Sequence, residues 1–251
     1  MILILLFSLT IFFSSSSTSQ IVESETIKSI LPIIQAHSGK KILVLFDLDN
    51  TLIRGVTYLS SPEFCFARAK QMVSSTTTEQ DACIHMLNDY TYIVHREGSK
   101  LVEPTSLFVL DNLKKINVPF LGLTGRSMYI AQRTSDVLTK LGIQFSDLLP
   151  EKRLFHTPNH PVLYQEGILF CSIFVPKSLA LQLFMQVWNE KPDLIIFVDD
   201  CKKHLQDVSD FVKSLKIDFV GIRLNACDQF VEALDLDKAE QQFAALKKQT
   251  A

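Results

Sequence analysis

The chain has 251 residues, 47% of them hydrophobic and 21% charged, with a formal net charge of -2. That composition is globular, and the length suits one α/β domain or a core domain with a smaller one appended. No Lys/Arg-rich run offers the concentrated basic face that a phosphate backbone needs, so nucleic acid is not an expected partner.

At the N-terminus, Ile2 to Phe13 is an apolar run followed by a small-residue tract, Ser14 to Ser19. This pattern predicts a signal peptide over residues 1–19 and a mature chain starting near Gln20, exported to the periplasm or secreted. The apolar run is too short to cross a bilayer, which takes about 20 residues. No stable membrane anchor is therefore expected after leader cleavage. No Lys or Arg stands near Met1, where a leader normally carries positive charge. Five cysteines follow, Cys65, Cys83, Cys171, Cys201 and Cys227, none in a C-x-x-C pair. Zinc-ribbon and thioredoxin-like chemistry thus find no support. Cys171 and Cys227 read as small buried hydrophobes, and pairing of Cys65 with Cys83 stays open.

Ile21 to Ala36 has Ile27, Ile30 and Ile34 at helical spacing, which predicts an amphipathic helix that Pro32 should kink or split. Lys41 to Phe46 is a continuous apolar run, the pattern of a parallel strand covered on both faces. Similar runs span Val118 to Leu123, Leu194 to Val198 and Phe219 to Leu224. Helical stripes fall between them, one through Met128, Ala131, Thr134, Leu138 and Leu141, another through Leu205, Val208, Phe211, Val212 and Leu215. Strands alternating with helices predict a doubly wound, parallel α/β sheet, a class that binds ligands at the carboxyl ends of its strands. Two stretches break the alternation. Thr57 to Gly98 is long, polar and helix-prone, and Asp147 to Val175 reads as turns with a hairpin.

Three of the apolar runs end in polar residues: Phe46-Asp47-Leu48-Asp49-Asn50-Thr51-Leu52, Leu123-Thr124-Gly125-Arg126, and Phe197-Val198-Asp199-Asp200. Four aspartates would then meet at one sheet edge, where like charges repel without a cation. An all-oxygen site of this kind suits a hard ion, Mg²⁺ above all.

FDLDNTL resembles the first motif of the haloacid dehalogenase-like superfamily, D-x-D-x-T after an apolar strand. LTGR is similar to its second motif and FVDD to its fourth. Lys177, opening a helix, lies where the family carries the lone lysine of its third. Order and context hold from Lys41 to about Leu224, and an exported bacterial subgroup of little-characterised function is the nearest likeness. The resemblance implies a core domain over residues 20–56 and 99–251, with a small, mainly helical cap inserted at 57–98.

The resemblance also implies roles. Asp47 would attack phosphorus and Asp49 would serve as acid and base. Thr124 and the backbone N–H of Gly125 would hold phosphoryl oxygens, and Lys177 would offset the charge of nucleophile and phosphate. Mg²⁺ would rest on Asp47, the Asp49 carbonyl and Asp199, with Asp200 direct or through water. Asp49 points to phosphomonoester hydrolysis or phosphoryl transfer rather than carbon–halogen or carbon–phosphorus chemistry. The expected partner is a small phosphorylated substrate, and the sequence carries no signal for an oligomeric state. The competing readings are a phosphotransferase or mutase with the same intermediate, and a secreted binding protein of this fold without catalysis. Within the insertion, an ordinary packed or surface role is expected for each of His85, Tyr90, Tyr92, His95 and Arg96.

Overall fold

The structure, a computed structural model, describes residues 17–158 and 160–249; the apolar run Ile2 to Phe13 lies outside them. In chain order the elements are β1 (Ser19–Ser24), α1 (Ile30–Ala36), β2 (Ile42–Phe46), β3 (Ile53–Gly55), α2 (Pro62–Met72) and α3 (Glu79–Arg96). There follow β4 (Ser99–Leu101), α4 (Thr105–Lys115), β5 (Phe120–Thr124), α5 (Ala131–Lys140), β6 (Arg153–Phe155), β7 (Val162–Gln165) and β8 (Ile168–Phe170). The chain ends with α6 (Lys177–Met185), β9 (Leu194–Asp199), α7 (Lys202–Ser214), β10 (Asp218–Leu224), α8 (Asp228–Glu232) and α9 (Leu236–Lys248).

One 8-stranded sheet runs in the order β1-β10-β9-β2-β5-β8-β7-β6. From β1 to β8 every neighbour is parallel, and β7 and β6 complete the sheet antiparallel. The continuous apolar runs follow from this topology, because the inner parallel strands β2, β5 and β9 bury both faces. Ile42, Val44 and Phe46 of β2 pack on one side with Ile30 of α1, Leu110 of α4 and Leu138 of α5. Leu43 and Leu45 pack on the other with Leu181 and Phe184 of α6 and Leu205 of α7. The chain moves one way from β2 to β5 and β8 and the other way to β9 and β10, so the switch point lies at β2.

Two expectations change. Ser19–Ser24 is a strand rather than the start of a helix: it pairs in parallel with β10 from Ser19↔Phe219 to Ser24↔Leu224. Ser19 Oγ lies 2.7 Å from Ser209 Oγ, and Thr18 N–H donates to Asp218 Oδ1 (2.7 Å), so the sheet begins ahead of a boundary at Gln20. Pro32 causes no break, because α1 starts at Ile30 and the proline sits in the first turn, where its missing N–H has no intrahelical partner to lose.

Between β3 and β4 the chain forms α2 and α3, a helical hairpin with its own small core of Phe64, Ala69, Met86 and Ile93. Ser61 caps α2 and Thr78 and Asp81 form a capping box on α3. Ala239 and Phe243 of α9 complete that core, the Phe64 and Phe243 rings meeting edge-on at 6.0 Å. Arg68 pairs with Asp89 (3.3 Å) and Glu240. The C-terminal helix therefore packs with the insertion.

Candidate active site

β2 stays apolar until it leaves the sheet, and there Asp47 donates its N–H to Val198 O of β9 (2.9 Å). Leu48 is fully buried, which turns Asp47 and Asp49 together toward the solvent end of the sheet. Asn50 then takes a left-handed conformation (φ 58°), one that Asn tolerates well, and its N–H closes the turn on Ile53 O (2.8 Å).

Lys177, the first residue of α6, is buried with its ammonium 2.8 Å from Asp47 Oδ1 and 2.7 Å from Asp199 Oδ2. The other oxygen of Asp199 accepts the Cys201 N–H (2.7 Å) and lies 3.2 Å from His204 Nδ1. Burial opposes the charge on Lys177, but Asp199 and Asp47 outweigh it and hold the amine above its ordinary range. Burial is likewise outweighed at Asp199, by Lys177 and then His204, and that carboxyl stays below the usual range. At Asp47 burial wins over Lys177, with Asp199 adding to it, and the pKa is pushed up to about 6. His204 rises to about 10 against its own burial, through its bonds to Asp199 and Cys201.

A second cluster forms where β5 ends. The buried Thr124 hydroxyl accepts the Arg126 N–H (3.1 Å). Arg126, also buried, donates from Nε to Asp49 Oδ2 (2.9 Å), from Nη2 to Asp49 Oδ1 (2.8 Å) and from Nη1 to Thr134 Oγ1 (3.1 Å). Tyr90 of α3 donates its hydroxyl to Asp49 Oδ1 (3.0 Å). Burial pushes the Tyr90 hydroxyl well above its ordinary value, which keeps it a proton donor.

Asp200 makes the third cluster. Its N–H donates to Thr51 Oγ1 (3.1 Å) and its carbonyl accepts from Arg223 Nε (3.0 Å). Asn50 Nδ2 reaches Asp200 Oδ2 (3.4 Å) and Glu63 Oε1 (2.7 Å), while Glu63 Oε2 is buried without a partner. Burial, then Asp47 and Asp199, push Asp200 up to about 8, and burial also raises Glu63. Hard oxygen donors short of positive charge are what a small divalent cation satisfies, so the residues here fit Mg²⁺. Asp47, Asp199 and His204 also bring ligand atoms within 4.8 Å of one another. The Lys177 ammonium already fills the gap between those two carboxylates, so a cation fits better on the Asp47 and Asp200 side. Asp199 has its oxygens committed to Lys177, Cys201 and His204, and Asp200 is the carboxylate left without a cation.

The three clusters border one cavity of about 1270 Å³. Asp47, Asp49, Gly125, Lys177 and Asp200 line its polar part. Thr124 lies behind that wall with its hydroxyl directed to Arg126, so Gly125 and Arg126 are what the second strand end presents. One flank is apolar, with Phe66 and Leu87 from the hairpin and Ile173 and Phe174 from the segment before α6. Of the five insertion residues named from the sequence, Tyr90 lines the cavity. Tyr92 turns instead to Leu246 O (3.4 Å) and carries Arg96 over its ring. Sequence spacing did not single out Asn50, Glu63, Arg126 or His204. The first and third were visible only as neighbours of Asp49 and Thr124 in their motifs, and Glu63 and His204 carried no signal. The cysteines are free, Cys65 and Cys83 included.

A parallel sheet switching direction at β2, with Asp47, Asp49, Thr124 and Asp199 at its strand ends and Lys177 between two of the aspartates, is the arrangement that the resemblance to the haloacid dehalogenase-like superfamily implies. Residues 23–251 match a family described as "Protein of unknown function (DUF2608)", and the chain belongs to that family. It is similar to a "Putative outer membrane protein" of Chlamydia trachomatis, 24% identical over 83% of this chain and 78% of that one. A protein of the same name from Chlamydia pneumoniae is 23% identical over 76% and 71%. Among solved structures it is similar to a "Putative Phosphatase" from Clostridium difficile, with 17% identity, a TM-score of 0.45, and 71% and 83% of the two chains covered. It is also similar to the HAD domain of the effector protein Lem4 from Legionella pneumophila, with 15% identity, a TM-score of 0.39, and 81% and 98% covered.

Proposed function

We propose that this protein is an exported, Mg²⁺-dependent phosphohydrolase that cleaves small phosphomonoesters through an aspartyl-phosphate. The observation that carries the reading is the Lys177 ammonium held between Asp47 and Asp199 beside a cavity, with Asp49 two residues from the nucleophile. Asp47 forms a bond to phosphorus as the bond from phosphorus to the ester oxygen breaks, and Asp49 gives its proton to the departing oxygen. Water then attacks phosphorus, passes a proton to Asp49 and releases phosphate. Asp47 returns as a carboxylate and Asp49 as an acid.

Lys177 lowers the repulsion between the Asp47 carboxylate and an incoming phosphate, and the Gly125 and Arg126 end of β5 faces the phosphoryl oxygens. Asp47, Asp200 and the Asp49 carbonyl would hold Mg²⁺, with Asn50 and Glu63 beside them. When bound, it supplies positive charge to the phosphate and the nucleophile. The helical hairpin at 57–98 acts as the cap that selects the substrate. The cavity is larger than the roughly 300–1,000 Å³ of a small-ligand site, which leaves room for a leaving group of metabolite size.

Export rests on the Ile2 to Phe13 run, and the names of the chlamydial relatives favour it. Among the described residues no helix is long and apolar enough to cross a membrane. Purified protein tested on a phosphomonoester panel should release phosphate with Mg²⁺ and fall silent in excess chelator. Full turnover in chelator would reject the metal, and release only onto an added alcohol would mark a phosphotransferase.

A further inference from the structure

Tyr90 sits on the inserted hairpin, yet its hydroxyl makes its hydrogen bond to the acid–base carboxylate of the core. An ionised carboxylate has about four lone-pair sites, two on each oxygen. On Asp49, Oδ1 accepts two hydrogen bonds, from Arg126 Nη2 (2.8 Å) and Tyr90 (3.0 Å), while Oδ2 accepts one, from Arg126 Nε (2.9 Å). One site remains, and it is on Oδ2. The Asp49 side chain keeps 14% of its surface exposed and lines the cavity.

We infer that Tyr90 is a positioning residue: by filling Oδ1 it makes Oδ2 the oxygen that carries the proton to and from the substrate. The inference rests on Asp49 being the acid and base of the proposed function. It gives the hairpin a part in proton transfer as well as in substrate selection. Arg126 alone grips both oxygens and leaves one site on each, so the phenol decides which oxygen works. Removing the hydroxyl while keeping the ring frees Oδ1, and the proton then divides between a productive and an unproductive oxygen.

The test uses leaving-group chemistry with the full-length, Mg²⁺-loaded protein. An alkyl phosphate needs a proton on its departing oxygen, whereas p-nitrophenyl phosphate departs without one, and kcat/KM reports the steps up to that departure. Wild type, Tyr90→Phe, Asp49→Asn and the double variant are compared on both esters, with thermal unfolding to check that each is folded. Tyr90→Phe should lower kcat/KM on the alkyl ester about tenfold, with a clearly smaller loss on the nitrophenyl ester. In the Asp49→Asn background it should add no further selectivity between the esters. An equal loss on both esters from Tyr90→Phe, while Asp49→Asn still discriminates between them, overturns the positioning role and leaves the proposed function standing. A selectivity loss that persists on top of Asp49→Asn overturns it too. If Asp49→Asn itself affects both esters equally, Asp49 is not the acid, and the positioning role falls together with the acid–base role given to Asp49.

Discussion

At Lys177 one ammonium faces two carboxylates at 2.7 and 2.8 Å, in a side chain with almost no exposed surface. The three charges are tolerable only as a set, because each would otherwise be a bare ion in a low-dielectric interior. Lys177→Met should therefore destabilise the protein by about 3–5 kcal/mol, the penalty of breaking a buried ion pair from one side. Urea unfolding measures it, and adding Asp199→Asn should recover part of the loss. A Lys177→Met protein as stable as wild type would mean that the two carboxylates find another counter-charge. Sequence reading reached Lys177 by its place ahead of FVDD, but it could not tell Asp199 from Asp200. Adjacent residues at a strand end turn to different sides, and which side holds the lysine depends on where α6 enters, more than twenty residues upstream.

Among the strands, the legible ones were those with a largely apolar run: β2, β5, β9 and β10 all fall where the runs predicted, within one or two residues, and the helical stripes between them became α5 and α7. β1 was not legible. Ser19-Gln20-Ile21-Val22-Glu23-Ser24 lies at the sheet edge with one paired side, so its polar residues face water and no run appears. The Asp147 to Val175 stretch was recognised only as turns and a hairpin, because its strands are three or four residues long. Its tight point is readable in structural terms. Glu166 (φ 52°) and Gly167 (φ 74°) are both left-handed, the two-residue turn that joins β7 to β8. A Cβ on Gly167 would lie 2.5 Å from Ser146 O, with no side-chain flexibility to absorb the clash. Gly167→Ala should cost about 1–3 kcal/mol, read as a lower melting temperature. An unchanged melting temperature would show that the Phe145–Ser146 backbone yields easily.

For the whole molecule, the concentration of acidic groups at the sheet edge links stability to pH and to the metal. Asp200 has its pKa raised from an ordinary 3.8 to about 8, and Asp47 from 3.8 to about 6. A carboxyl that binds its proton more tightly when folded favours the fold below its unfolded pKa. That advantage is lost as pH rises through the folded value. The metal-free protein should thus lose stability as pH rises from about 4 to about 8. Mg²⁺ should raise the melting temperature more at the upper end of that range, and Asp200→Asn should flatten both dependences. A metal-free protein that gains stability across this window would place the cation elsewhere.

Fold and site were legible to different depths, for a reason that operates at this scale. Continuous runs report local burial, and motifs report strand ends. The pairings of Asp49 with Arg126 and Tyr90 join three distant segments whose meeting is a property of the folded chain. The proposed mechanism depends on a covalent bond between Asp47 and phosphorus. A millisecond acid quench during turnover of a phosphomonoester with Mg²⁺, followed by peptide mass spectrometry, tests it directly. The peptide that carries Asp47 should gain the mass of one phosphoryl group in wild type and should not in Asp47→Asn. Turnover with no phosphorylated Asp47, under quench conditions that preserve a known acyl phosphate, would contradict the assignment.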